Sequence, residues 1–233
     1  MNILTTYCAL VANEPRSFDI HWRHGQRSET LRVNVQNDLP DPHIVAELSA
    51  LHWLLGQRSI FGETQTGKGL VLTVSAGAIR KVARASVASD PAGTGKPHLL
   101  PYGHFLATRF AGAAIVVSHD TTWLKTPNGT PGETITVRQP LRSLLTVPAV
   151  GPVEVSAHAL DRFGQRLCQL EPSERWRLLR RIATGARQRV EPPINHAPAA
   201  NRPGELWVNP DLRWGFVLVR QKTRPVMVTA YAV

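Results

Sequence analysis

The hydrophobic pattern opens with three strand-like runs, residues 3–12, 17–23 and 30–35. Turn residues separate them, which predicts an antiparallel meander. Asp41-Pro42 then predicts a helix start, with Asp41 as N-cap and Pro42 in the first turn. Ile44, Leu48, Leu51 and Leu55 recur at helical spacing and mark its buried face. Leu70–Val74 reads as a short apolar strand, and 78–85 as an amphipathic helix carrying Arg80, Lys81 and Arg84. Residues 86–96 read as a loop, 99–110 as a helix, 113–118 as a buried strand and 126–133 as a turn-rich loop. The segment Val147-Pro-Ala-Val-Gly-Pro152 breaks any regular element and predicts a boundary between domains at 1–146 and 153–233.

The second part starts with a helix on Ser156-Ala-His158-Ala-Leu-Asp161-Arg162-Phe163-Gly-Gln-Arg166-Leu167. Ser156 stands at the N-cap, where a hydroxyl takes a free N–H of the first turn. Ala159, Phe163 and Leu167 form the apolar stripe, and His158, Arg162 and Arg166 a second stripe at intervals of four. Residues 171–189 continue as another helix, with Trp176, Leu179 and Ile182 turned inward. Four prolines mark 191–204 as a loop. The chain closes with three strands, 205–209, 214–220 and 226–233. The fold class expected is α/β (α+β): a mixed sheet with helices, then a small domain of helices on an antiparallel sheet.

Charge changes this picture. Over 233 residues the net charge is +10, yet 17 acidic side chains remain, so the excess belongs to a folded surface and not to a basic tail. Residues 1–146 carry net +4 and 151–233 net +6, so the shorter part is the more densely positive. Such a field favours nucleic acid or an acidic partner. Arg dominates the basic set, and its fork matches phosphate where Lys acts as a point charge. The two cysteines, Cys8 and Cys168, have no zinc or redox spacing. No signal peptide and no apolar run of membrane-spanning length is evident, so a reduced, cytoplasmic setting is the expectation.

Two motifs invite a chemical reading and fail it. Gly62-Glu-Thr-Gln-Thr-Gly67-Lys68-Gly69 nearly spells a phosphate-binding loop. Gly69 replaces the hydroxyl that holds Mg²⁺, and the segment leads into a strand where a helix belongs. A flexible loop is the expectation. The His21/His24 and His119-Asp120 pairs lack a third ligand at metal spacing, so no metal and no cofactor is expected.

The order strand, strand, strand, helix, strand, helix in residues 1–85 resembles the RNase H-like fold, over roughly the first 120 residues. Glu47, in Val45-Ala-Glu-Leu-Ser-Ala-Leu, matches the acidic residue those nucleases carry on their first helix. Val74 stands where their metal-binding Asp belongs, and the first strand has no Asp. Two-metal chemistry needs several carboxylates. The resemblance therefore implies a degenerate, inactive scaffold, with Glu47 a surface or capping residue and Asp120 as the other carboxylate to follow.

The second part resembles the RelE/barnase-like ribonuclease-toxin superfamily, through Ser156-Ala-His-Ala-Leu-Asp-Arg-Phe, the Arg-rich helix and the closing Pro225-Val-Met-Val-Thr-Ala-Tyr. What the resemblance implies is RNA binding, with metal-independent endoribonuclease action as its stronger form. His158 titrates near neutrality and suits proton transfer, while Arg162 and Arg166 suit the charge on phosphate. Arg175, Arg177, Arg180, Arg181 and Arg187 are the nucleic-acid contacts expected from the second helix, with Arg189 beyond them and Lys222 and Tyr231 on the final strands. The competing reading for His158 is a packing or capping residue. The competing reading for the whole chain is a non-enzymatic interaction protein, of phage or mobile-element type, that grips an acidic protein or nucleoprotein. Oligomeric state is open.

Overall fold

β-Branched and aromatic residues at every second position build the first sheet. In the computed structural model, which describes residues 1–36, 38–88, 95–124, 131–167, 170–190, 204–221 and 224–233, β1 (Asn2–Val11), β2 (Glu14–His24) and β3 (Arg27–Val35) form an antiparallel meander. Phe18, Ile20 and Trp22 of β2 are buried, the first two opposite buried Val33 and Leu31 and the third opposite Glu29 at the turn end of β3. The intervening positions turn to the other face, as strand pleating requires. The chain divides into two units, Met1–Leu141 and Arg142–Val233.

In the first unit α1 (Pro42–His52) packs on this sheet and is buried over most of its circumference, from Ile44 to His52. It ends in a π turn, Trp53–Gln57, closed by Arg58 N–H donating to the Trp53 carbonyl at 2.8 Å. β4 (Leu70–Val74) runs parallel beside β1, and α2 (Gly77–Ala88) follows. After α3 (Leu100–Ala107), β5 (Ala114–Val117) lies parallel to β4, and β6 (Glu133–Val137) parallel to β3. The strand order is β5-β4-β1-β2-β3-β6. β5 was expected to be buried. It is an edge strand, and Val116 is 46% exposed.

Asp41 caps α1 with its backbone only. It sits in the left-handed region at φ 57°, and its carboxylate pairs with Lys96 at 2.5 Å and His98 at 3.3 Å. The side-chain cap expected from sequence gives way to an ion pair between segments far apart in the chain.

The glycine-rich loop is held by contacts from Arg109 and the 110–111 backbone. Arg109 donates to the carbonyls of Gly56, Glu63 and Gln65 at 3.3, 3.0 and 3.4 Å. Gly67 presses so close to the 110–111 backbone that a Cβ there would lie 2.1 Å from the Ala111 oxygen. A phosphate loop aims N–H groups inward. This one aims carbonyls inward, at a cation of its own chain.

The second unit contains β7 (Leu144–Val147), β8 (Gly151–Val155), α4 (Ala157–Arg166), α5 (Pro172–Thr184), β9 (Gln188–Val190), β10 (Gly204–Asn209), β11 (Trp214–Val219) and β12 (Val226–Ala232). Their sheet order is β7-β8-β12-β11-β10-β9. All pairs are antiparallel except β8 with β12, joined in parallel at Val226–Glu154 and Met227–Val155. The closing strands match expectation within a residue or two. The boundary does not: 147–152 spans the turn of the β7–β8 hairpin at 148–150 and the strand residues beside it, with Gly151 at φ 93°, and the division falls at Leu141/Arg142. The second helix also ends sooner than expected. Gly185 follows Thr184, and 188–190 turns into β9. Cys168 and Lys222 lie outside the described residues, as does the loop at 191–203.

His52 gives the first unit a pH dependence. Its ring stacks on Phe105 at 4.7 Å, and burial, with His104 and Arg109 nearby, lowers its pKa from 6.5 to about 3. The folded state therefore refuses a proton that the unfolded state takes up. Stability from this group is complete above pH 6.5 and declines as pH falls toward 3. Comparing urea melts of wild type and His52→Phe, the difference should change by about 1.4 kcal/mol per pH unit below the unfolded pKa. A pH-independent difference would show that His52 protonates freely in place.

Candidate nucleic-acid interface

Glu47 does not sit at the surface. It is completely buried on α1, against β1 and the end of β4. One carboxylate oxygen accepts from the Thr6 hydroxyl at 2.8 Å and the Ser75 N–H at 2.8 Å, and the other accepts from the Ser75 hydroxyl at 2.6 Å. Burial pushes its pKa up against these donors. Where a metal-binding cluster would bring further carboxylates, this site brings hydroxyls and an amide. The residues do not fit a pair of divalent ions. Among the described residues no three of His, Cys, Asp and Glu converge at metal-ligand distances. Asp120 is exposed and accepts from the Thr122 N–H and hydroxyl at 2.9 and 2.6 Å, which lowers its pKa.

The α4 signature folds as its sequence dictates at its start. The Ser156 hydroxyl accepts from Ala159 N–H at 3.0 Å and donates to the Met227 carbonyl at 3.0 Å, so the cap also fastens the helix to β12. Ala159, Leu160 and Phe163 are buried, and Leu167 is half-buried. His158 and Arg162 are exposed, and Arg162 reaches Gln165 at 3.3 Å. Neither the packing nor the capping role holds for the imidazole.

Arg166 leaves the stripe. Its guanidinium donates to the Ala230 carbonyl and, at 3.1 Å, to the Thr229 hydroxyl of β12, and lies 5.6 Å from the Tyr231 ring centroid. β8 pairs with β12 at Val226 and Met227, and Arg166 of α4 serves the Ala230 carbonyl farther along. Tyr231 is 8% exposed, and burial raises its pKa although Arg166 opposes this.

The arginines of α5 also part company. Arg175 turns back to α4. Its Nε donates to the Leu170 carbonyl at 3.1 Å, and its guanidinium fills the space above Gly164, where a Cβ would lie 2.5 Å away. Arg177 and Arg181 are exposed together one turn apart, with Arg177 near Glu174 at 3.2 Å. Arg180 is half-buried. Arg187 and Arg189 are not on the helix: Arg187 faces Asp211 at 3.5 Å, and Arg189 stands on β9 near Glu205 at 3.7 Å. Trp176, Leu179 and Ile182 are buried as the pattern predicts. What holds the end of α5 was missed: buried Asn209 donates to the Arg181 and Ile182 carbonyls, each at 3.2 Å, while its own oxygen accepts from Asp211 and Leu212 N–H groups. The signal was only a Gly185 and an Asn before a turn.

Two contrasts follow from this geometry. Glu47→Gln places an amide donor among donors and should lower stability by about 1–3 kcal/mol, equally with and without Mg²⁺. A loss seen only with Mg²⁺ present would mean the carboxylate is a ligand. Arg166→Ala should cost about 1 kcal/mol by leaving the Ala230 carbonyl unserved, whereas His158→Ala should stay within about 0.5 kcal/mol of wild type. Denaturant titrations of the three proteins decide it, and equal stability for all would remove Arg166 from the framework.

No family model matches the chain, and neither a curated protein nor a solved structure matches it. No described helix is long and apolar enough to cross a membrane.

Proposed function

We propose that this protein binds nucleic acid, RNA in preference to DNA, through exposed arginines of its second unit. The observation that carries the reading is the outward pair Arg177 and Arg181 on α5, with Arg162 exposed on α4 and Arg187 just past the helix end, in the shorter and more densely positive part of the chain. A like-charged pair one turn apart weakens an isolated helix. A phosphate backbone relieves that repulsion and releases its own counterions.

The element order supports a family reading for each unit. Two helices followed by an antiparallel meander support the RelE/barnase-like reading and hence RNA. The β5-β4-β1-β2-β3 run supports an RNase H-like first unit, made inert where Thr6 and Ser75 enclose Glu47. The reading is one of binding. Metal-free cleavage needs a second group to transfer a proton beside His158, and the stripe supplies guanidiniums, one of them already engaged by β12.

Fluorescence anisotropy with a single-stranded RNA, measured across a salt series, tests this. Wild type should lose affinity steeply with salt, and Arg177→Ala/Arg181→Ala should reduce the log–log slope by about 1.4, two contacts at ~0.7 each. An unchanged slope would remove α5 from the interface. Absence of RNA binding at low salt would overturn the reading and transfer the basic surface to an acidic protein partner.

A further inference from the structure

At the β9 edge of the second sheet a second cationic cluster lies outside both helices. Arg189 is directly opposite Trp207 in the β9–β10 register, so the two side chains share a face. Glu205 is two positions along β10, and Arg220 is two past Leu218, the residue paired with Glu205, so both fall on that same face.

The contacts are specific. Glu205 accepts from Arg220 Nε at 2.7 Å and Nη2 at 3.4 Å, and from Trp207 Nε1 at 3.3 Å. Arg189 Nη2 approaches the same carboxylate at 3.7 Å, an ion pair beyond hydrogen-bond length. The carboxylate is only 12% exposed, while Arg189 and Arg220 are 64% and 65% exposed. The acid is thus enclosed and its two cations face water. Hydrogen bonding from Arg220 lowers the Glu205 pKa, so it stays ionised.

Two guanidiniums for one carboxylate leave a surplus positive charge. Glu205 fixes the Arg220 fork and the plane of the Trp207 ring before any ligand arrives. Arg189 meets Glu205 only as an ion pair, so its fork can close on another anion. One fork fixed by Glu205 and one left to move, beside a Trp207 ring half-buried against the core, offer a single nucleic-acid strand charge for its backbone and the open part of the ring for stacking. Arg favours bidentate contact with phosphate.

We propose that Arg189 and Arg220 clasp a phosphodiester of single-stranded RNA, with an adjacent base stacked on Trp207 and Glu205 as the positioning residue. This rests on the nucleic-acid reading above and adds a second contact to it, away from Arg177 and Arg181.

The test uses the full chain, a labelled mixed-sequence single-stranded RNA, and an abasic strand of equal length. Arg189→Gln/Arg220→Gln should weaken RNA binding about tenfold and lower the salt slope by about 1.4. Arg189→Lys/Arg220→Lys should keep the slope and lose part of the affinity, because charge remains without the fork. Trp207→Ala should weaken RNA binding about tenfold and leave the abasic strand unaffected. Thermal melts confirm that each variant is folded, and Trp207→Phe substitutes for Trp207→Ala if the latter is not. If all these variants bind like wild type while Arg177→Ala/Arg181→Ala is weakened, the cluster is an ion pair alone and this proposal falls while the helix reading stands. If wild type binds neither strand, both fall.

Discussion

Glu47 is enclosed where β1, α1 and β4 meet, and the geometry of the first unit turns on how its charge is accommodated. A buried carboxylate is costly unless donors surround it. Thr6 supplies one from the first strand and Ser75 two from just past the end of the fourth, so three segments distant in sequence are fixed to one side chain. The same enclosure decides the chemistry. Each lone pair given to a hydroxyl or amide is withheld from a metal, and a position suited to catalysis becomes a joint. Desolvation outweighs these donors and pushes the pKa up.

The second unit uses polar side chains in the same way, and this divides its arginines into two groups. Arg166 serves the Ala230 carbonyl of β12 and Arg175 bridges α4 and α5 across a glycine. These guanidiniums do the work of backbone partners. Arg162, Arg177 and Arg181 remain at the surface. Arginine density alone overstates such an interface, because a helix packed on a sheet edge draws on the same residue type that a phosphate would.

Local features were legible in the sequence and distant ones were not. The Ser156 cap, the buried stripe of α5 and the three opening and three closing strands each depend on residues a few positions apart, and all are present. Arg166 could not be assigned from sequence because its partner Ala230 is 64 positions away. Asp41 looked like a cap because Lys96 and His98 were out of view. The early end of α5 was obscured by arginines that continue past Gly185, since charge carries no period of its own. β7, β8 and β9 escaped because strands of three to five residues between prolines and glycines show too few alternations to register. Arg220 was passed over because only the strand register brings it to Arg189.

The β7–β8 hairpin has a practical consequence. Its prolines and glycine invite a cut between 147 and 152 when the second unit is to be produced alone. That cut would discard β7, whose Leu145 and Val147 are buried in the same core as α5. The fragment would begin with a greasy slot where a strand should lie and a sheet edge seeking a partner. Its clumping would then be blamed on a protein that, begun a few residues earlier, carries its own cover.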